Sequence, residues 1–559
     1  MAVEHRPWLA AYDALGHDWH QLPTLPEKTL SDYIRDHARH HGDREALVFL
    51  GQSIRYAELD QLADRLASLL VALGCQPGEV LGVQLPNTPQ YVVALVAAAR
   101  LGMVCTSLSP LMKPVELGHQ LQDAGVKVML TLAPFWDTVV QPALAGCDSL
   151  EAVLLSSPTE LTGTPLPDRD EQAGAVRLLS LWSHLGDGPL PPVSVSLDDV
   201  LYLQYTGGTT GLPKGARLTS RNLLINNMQA NLFYGLRDGE ETVASAFPLF
   251  HIGGAAVLFN ALRTASTFLL IPDPRDLDHF VAEMSQRPAT VLAAVPALYQ
   301  GLCSHAGFRE LDFARLRVAV SGGAPFAVSE IQRLEALIGP DKFYEVYGMT
   351  ETSPVLTINP AGRLKPGWVG IPLPGTEVRI VDAERGVPLP AGEAGEIIAS
   401  GPQVMRGYLA RPDATAGALR EHDGRTWMYT GDVGVMDEDG YIRVCDRSKD
   451  MLIVGGYKVF SVEVENRVQA LPWVALCAVV GCPDPRRPGN DVVQLYVQHN
   501  DTELGSDAAR RQALLDFCRD NLSPYKVPRE IVFVDAIPLT SVGKLDKKAL
   551  RATAAAEAG

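Results

Sequence analysis

The chain has 559 residues, with 48 Lys and Arg against 65 Asp and Glu and a formal charge of −17. At roughly 100–200 residues per domain this length excludes a small module and predicts about three or four structural units with well-buried cores. A composition of 47% hydrophobic and 20% charged residues excludes a disordered chain, and the acidic balance excludes wholesale nucleic-acid binding, which needs a basic face. Any bound anion must therefore be met by a local group of cations.

The opening Met1-Ala-Val-Glu-His-Arg-Pro-Trp8 has no basic stretch leading into an apolar core, so no secretory leader is expected. Residues 29–41 predict a helix with Leu30, Tyr33, Ile34 and Ala38 on its apolar face and Gly42 as its stop. His37, His40 and His41 share a face of that helix; in its last turn, where positive charge suits the helix dipole, they are expected to be solvated rather than to hold a metal. From Ala46 to Val153, β runs at Leu81–Leu85, Val126–Leu130 and from Val153 alternate with helical patterns such as Leu59–Leu73. That alternation predicts an α/β layer on a mostly parallel sheet. The longest apolar stretch, Tyr91–Ala99, is too short for the roughly 20 residues of a membrane helix.

Residues 156–197, rich in Pro, Gly, Ser and Asp, predict an exposed excursion within the α/β region. From about 368 to 444 the texture changes to short β runs at Glu377–Val381, Gly395–Ser400 and Gly440–Val444, which predicts a small β-barrel or β-rich subdomain. After Asp446 a compact α+β unit is expected, with strands at Val474–Val480, Val492–Val497 and Ile531–Val534 and a helix at Ala508–Asn521. The expected domains are thus 1–446 and 447–559. Eight cysteines without a CxxC pair predict the reduced, packed thiols of a cytoplasmic protein.

The densest chemical signal is Tyr205-Thr-Gly-Gly-Thr-Thr-Gly-Leu-Pro-Lys-Gly215, directly after the apolar run Val200–Leu203. Glycines at 207, 208 and 211 (Gly207, Gly208, Gly211) let the backbone approach a ligand closely, Thr206, Thr209 and Thr210 offer hydroxyls, and Lys214 adds a point charge. These are the groups that a polyphosphate needs. The common P-loop requires Ser or Thr after its lysine, and here Lys214 is followed by Gly215, so the segment is a different phosphate loop.

This segment resembles the phosphate-binding signature of the adenylate-forming superfamily, which includes acyl-CoA synthetases, luciferases and the adenylation domains of peptide synthetases. Further matches follow in the family's order: Pro248-Leu-Phe-His251, Ser321-Gly-Gly-Ala-Pro325, Tyr344-Glu-Val-Tyr-Gly-Met-Thr-Glu351, Tyr429-Thr-Gly-Asp432, Asp446-Arg-Ser-Lys-Asp-Met451 and Ser541-Val-Gly-Lys544. The first 150 residues, Asp273-Pro-Arg-Asp-Leu-Asp278 and Gly401-Pro-Gln-Val-Met405 are similar to the fatty acyl-CoA synthetase branch. The chain departs from most relatives in carrying Val346, where they have glycine before the tyrosine.

The resemblance implies a fold of parallel-sheet α/β subdomains plus a β-barrel subdomain, with a small mobile α+β C-terminal domain. It implies a reaction in which a carboxylate and ATP with Mg2+ give an acyl adenylate and pyrophosphate, after which coenzyme A forms the thioester. Lys544 matches the mobile lysine placed between carboxylate and α-phosphate. Glu351 matches the magnesium ligand, and Thr350 the hydroxyl on the α-phosphate. Tyr347, with Gly348 after it, matches the aromatic that stacks on adenine, and Gly322, Gly323 and Ala324 the wall of that pocket. Asp432 matches the carboxylate on the ribose hydroxyls, and Arg447 a ribose or phosphate contact. Lys449 falls at the hinge of the C-terminal domain, Gly455 and Gly456 at the segment presented to the pantetheine thiol, and His251 at the mouth of the acyl site. Gly253, Gly254 and the apolar Ala255–Phe259 imply walls suited to a hydrophobic acid.

The expected enzyme is an acid–thiol ligase of the medium- or long-chain fatty-acid type, acting on small molecules with no nucleic-acid partner. Loading of a separate carrier protein, a β-lactone-forming synthetase without CoA, and an inactive binding homologue are the alternatives. A carrier domain within the chain is disfavoured, because only 15 residues follow Lys544. The presence of Lys214, Glu351, Asp432, Arg447 and Lys544 together disfavours the inactive homologue. Peripheral membrane contact and a homodimer stay open at this level.

Overall fold

The computed structural model of the chain places six parallel strands at the centre of each of two large sheets. It describes all residues except 1–5, 17, 20, 21, 163, 164, 207–212, 325, 384, 456, 485, 486, 488, 489, 501–505, 541–543 and 559. Contacts divide the chain into one unit of Met1–Glu377 with Ser400–Met428 and a second of Val378–Ala399 with Tyr429–Gly559.

Both large sheets belong to the first unit. One has nine strands, and its parallel centre runs from Phe343–Gly348 through Val318–Gly322 to Glu45–Phe49, with antiparallel strands at both edges. The other has eight; its parallel centre runs from Val200–Thr206 to Val176–Ser180, and Lys214–Thr219 lies antiparallel on the edge beside Val200–Thr206. The apolar run that is too short for a membrane is the helix Pro89–Leu101, in which every residue is buried. A helix that is apolar all round has no solvent face to offer and becomes core. No helix among the described residues is long and apolar enough to cross a membrane.

Two local expectations are corrected here. Residues 156–197 are more than an exposed excursion: Asp170–Ala173 and Val176–Ser180 extend the eight-stranded sheet, because Val176 and Leu178 bury one face of the second strand and Leu179 the other. In the helix Leu30–His40, capped by a reciprocal pair of bonds between Thr29 and Asp32, His40 is exposed as expected but His37 is not. The His37 ring is buried, lies 3.1 Å from the Arg263 carbonyl oxygen and meets the Tyr56 ring edge-on. Burial holds its pKa below the ordinary histidine value.

In the β-rich stretch, strands pair in the order Glu377–Val381, Gly395–Ser400 and Arg425–Met436, with Ile442–Arg447 on the last, so the β-rich texture does form a sheet. The C-terminal part is α+β as expected: Val474–Pro483, Asp491–His499 and Glu530–Phe533 make a three-stranded sheet, packed with the helices Ser461–Gln469 and Asp507–Asn521 around Val464, Val468, Leu495 and Leu514. Of the eight cysteines, six are buried and none forms a disulfide.

Candidate active site

In the first unit the site residues gather where parallel strands end. Val318–Gly322 and Phe343–Gly348 run side by side with Gly322 opposite Val346, so Gly323 and Ala324, both exposed, leave one strand beside Tyr347 on the other. The carboxyl ends of parallel strands are where open α/β sheets bind ligands, because the chain there turns away and leaves a crevice. Val346 pairs with Ile358 on its other side, and the register of that antiparallel pair shifts between Tyr347 and Gly348. Its Cγ2 lies over Gly322, only 2.5 Å from where a Cβ at that glycine would stand. Gly348 is fixed by close approach, since a Cβ there would meet the Pro354 carbonyl oxygen at 1.8 Å.

After Gly348 the chain enters the short turn Thr350–Thr352, which carries Thr350 and the buried Glu351. Two residues of the expected phosphate loop come from the other sheet, where Thr206 and Lys214 pair across neighbouring antiparallel strands. Gly207, Gly208, Thr209, Thr210 and Gly211 lie outside the described residues, as does Gly456.

The segment 402–409 joins the two sheets. The Met405 amide donates to the Glu351 carbonyl and the Leu409 amide to the Gly215 carbonyl, both at 2.8 Å. Asn222 donates to the Pro402 and Val404 carbonyls and so pins the start of this segment. Tyr408, absent from the sequence-derived site, donates its hydroxyl to Glu351 Oε1 at 2.6 Å, while Lys214 Nζ sits 5.0 Å from its ring centroid. Burial and the neighbouring carboxylate push the phenol pKa up, which keeps it a donor. The signal in the sequence was the Gly407-Tyr408 step that follows the quoted Gly401–Met405 motif by two residues.

Among the described residues no group of three or more His, Cys, Asp or Glu side chains could hold a metal ion. A single buried carboxylate suits an ion that takes most of its oxygens from phosphates and water, which is how Mg2+ binds with a nucleotide. The donor set therefore fits a metal that arrives with ATP.

His251 caps the helix Ile252–Arg263, its Nδ1 accepting the Gly253 amide at 3.2 Å. The loop before it is held by Asn87, by the Tyr91 hydroxyl on the Leu249 carbonyl at 2.9 Å, and by Gln204 Nε2 on the Phe250 carbonyl at 3.2 Å. Gly254, expected from the sequence as part of the wall of the acid site, also has a local reason: a Cβ there would stand 2.2 Å from the Pro248 carbonyl oxygen.

The second unit brings together Asp432, Arg447 and Lys544. Asp432 and Arg447 pair across antiparallel strands, with Arg447 Nε 3.3 Å from Asp432 Oδ1. Lys544 and Thr540 bond in both directions: the Thr540 amide donates to the Lys544 carbonyl at 2.7 Å and the Lys544 amide to Thr540 Oγ1 at 3.1 Å. The residue is exposed, yet its ammonium pKa is lowered, first by desolvation and then by the charge of Arg447, with Asp432 opposing. Lys449 is exposed in the turn that follows Ile442–Arg447. Gly455 sits at positive φ in the hairpin between Leu452–Val454 and Tyr457–Val459, where its amide donates to Asn490 Oδ1 at 2.8 Å.

The model of the AMP-binding enzyme family matches residues 34–409, and that of the AMP-binding enzyme C-terminal domain matches residues 463–544. A long-chain-fatty-acid–CoA ligase of Salmonella typhimurium is 34% identical over 94% of both chains. A feruloyl-CoA synthase of an Amycolatopsis species is 35% identical over 90% of this chain and 94% of its own. Among solved structures, ATP-bound MatB from Rhodopseudomonas palustris superimposes with a TM-score of 0.79 at 29% identity, covering 94% of this chain and 99% of its own. The chain thus belongs, over nearly its whole length, to the AMP-binding enzyme family.

Proposed function

We propose that the protein is an AMP-forming acyl-CoA synthetase that activates a hydrophobic carboxylic acid, of the medium- or long-chain fatty-acid class, as an acyl adenylate and passes the acyl group to coenzyme A. The observation that carries this reading is the set of Lys214, Tyr347, Thr350 and Glu351 at strand ends of one unit, in a chain that also bears Asp432, Arg447 and Lys544. The long-chain-fatty-acid–CoA ligase relatives support the acid class.

In the first step a carboxylate oxygen attacks the α-phosphorus of ATP and pyrophosphate leaves. Two anions must meet, and each unit charge pair at 4 Å is worth about 4 kcal/mol at an effective dielectric of 20, so cations have to stand beside the reacting oxygens. In this reading Lys544 bridges carboxylate and α-phosphate, while Lys214 and the Thr206 and Thr350 hydroxyls hold the phosphate oxygens. Glu351 would hold Mg2+, which supplies charge neutralisation on the phosphates when bound. Tyr347 stacks on the adenine, with Gly322, Gly323 and Ala324 as its wall, and Asp432 accepts the ribose hydroxyls, steadied by Arg447. In the second step the CoA thiolate attacks the acyl carbonyl, AMP leaves, and the thioester forms. We assign Lys449 as the hinge between the two steps, with Gly455 and Gly456 as the backbone that admits the pantetheine and His251 at the acyl entrance.

A second reading, an aryl-propenoic acid as substrate, is favoured by the feruloyl-CoA synthase similarity. CoA-dependent AMP release measured across saturated acids of rising chain length and substituted cinnamic acids tests both. Turnover confined to the aliphatic acids supports the fatty-acid reading, turnover confined to cinnamic acids replaces it, and no acid-dependent release refutes the synthetase.

A further inference from the structure

We infer that Tyr408 is a positioning residue that sets both the metal-binding carboxylate and the phosphate-binding lysine of the ATP site; this rests on the adenylation reading above. Lys214 and Glu351 arise from strands and turns of different sheets, and nothing in the sequence fixes the gap between them. Both close on the same phenol. The Tyr408 hydroxyl donates to Glu351 Oε1 at 2.6 Å, and Lys214 Nζ lies 5.0 Å from the ring centroid.

The phenol is itself immobilised. Tyr408 is 8% exposed, forms a β-bridge opposite Ala216, and donates its amide to Thr415 Oγ1 at 3.0 Å. The backbone on either side is tied to Glu351 through Met405 and to Gly215 through Leu409. One rigid side chain is therefore fastened to both halves of the phosphate site.

Two opposite charges at the rim of an ATP site attract each other, and direct pairing would close the space that the phosphates need. Tyr408 gives each a different partner. Its O–H takes one carboxylate oxygen and so fixes the rotamer and plane of Glu351, because bonds to an ionised acceptor are short and directional. Its ring face attracts the ammonium without neutralising it, so Lys214 keeps its charge for phosphate. A small hard cation with strict octahedral demands needs its carboxylate held in place beforehand.

Replacement by phenylalanine separates the two duties, since it removes the hydroxyl and keeps the ring. The experiment is calorimetric titration of ATP into the full chain without acid substrate, in EDTA and across a series of Mg2+ concentrations, for the wild type, Tyr408→Phe and Tyr408→Leu. The phenylalanine variant should keep metal-free ATP affinity within about twofold and lose about tenfold of the gain that Mg2+ brings, in line with a lost bond to a charged group. The leucine variant should also lose about threefold or more in metal-free affinity, as its lysine has no ring to rest on. A phenylalanine variant with the wild-type Mg2+ dependence overturns the inference. So does an equal loss of metal-free and metal-dependent binding in that variant, which is what a merely packed tyrosine would give. If the leucine variant fails to fold, the phenylalanine comparison decides alone. Wild-type protein that binds no ATP at any Mg2+ concentration instead refutes the adenylation reading, and the inference with it.

Discussion

Asn87 Oδ1 accepts the Leu249 amide at 2.8 Å while its Nδ2 donates to the Phe247 carbonyl at 3.0 Å, so one buried side chain holds the backbone on both sides of Pro248. This segment ends three residues later at His251. Asn87→Ala strands a buried donor and a buried acceptor, each worth about 1–3 kcal/mol, and should lower stability by about 2–4 kcal/mol in a denaturant titration. Because the loosened loop leads to the proposed acyl entrance, the KM for the carboxylic acid should rise more than the KM for ATP. A larger effect on ATP would contradict the placement of His251.

Adjacent glycines at the start of the same helix should respond in opposite ways. A Cβ at Gly254 would press the Pro248 carbonyl oxygen at 2.2 Å, whereas at Gly253 the nearest atom would be His251 Nδ1 at 3.5 Å. Gly254→Ala should cost about 1–3 kcal/mol through backbone displacement. Gly253→Ala should be neutral or stabilising by up to about 1 kcal/mol, as expected for glycine replaced within a helix. Melting temperatures of the two variants decide, and equal shifts would rule out the steric account.

Glu345 is a buried carboxylate two residues before Tyr347. Burial pushes its pKa up to about 7, with the Phe326 amide pulling the other way. The unfolded chain releases that proton near pH 4.3 while the folded chain keeps it until about 7, so the favourable contribution is complete below the lower value and disappears as pH rises through the upper one. Glu345→Gln should therefore gain stability over the wild type between pH 5 and 8, on the order of 2–3 kcal/mol at the upper end. Chemical denaturation at both pH values measures this, and a gap that stays the same from pH 5 to pH 8 would show that Glu345 is ionised throughout.

Lys544→Ala should lower adenylate formation, followed by ATP–pyrophosphate exchange, by at least about 100-fold, since it removes the cation assigned to the reacting oxygens. Thioester formation from a supplied acyl adenylate should stay within about twofold of wild type, as that step leaves no phosphate attack to assist. Equal losses in the two assays would refute the division of labour between steps.

Much of the fold was legible because local patterns and tertiary demand agree. The apolar runs at Val126–Leu130 and Val153 became parallel strands buried on both faces, and Ala508–Asn521 became a helix that buries the Arg510, Leu514 and Cys518 stripe. His37 was misread because its helix position suits a charge, while the Arg263 carbonyl and Tyr56 ring that enclose it come from elsewhere in the chain. Residues 176–180 were missed because turn-forming neighbours masked a short apolar strand.

The sequence alone determined the chemical inventory: a glycine- and threonine-rich segment at 205–215, proposed to hold phosphate, the carboxylates Glu351 and Asp432, the lysines Lys214 and Lys544, and their order along the chain. Those residue types carry their chemistry in their own side chains, so motif and spacing suffice to find them. Only the tertiary structure decided how two of them are held, because the Tyr408 phenol reaches Glu351 and Lys214 through a segment that is distant from both in sequence. It also decided that Gly254 answers to the Pro248 carbonyl, a close approach between backbone atoms that leaves no periodic trace in the residues.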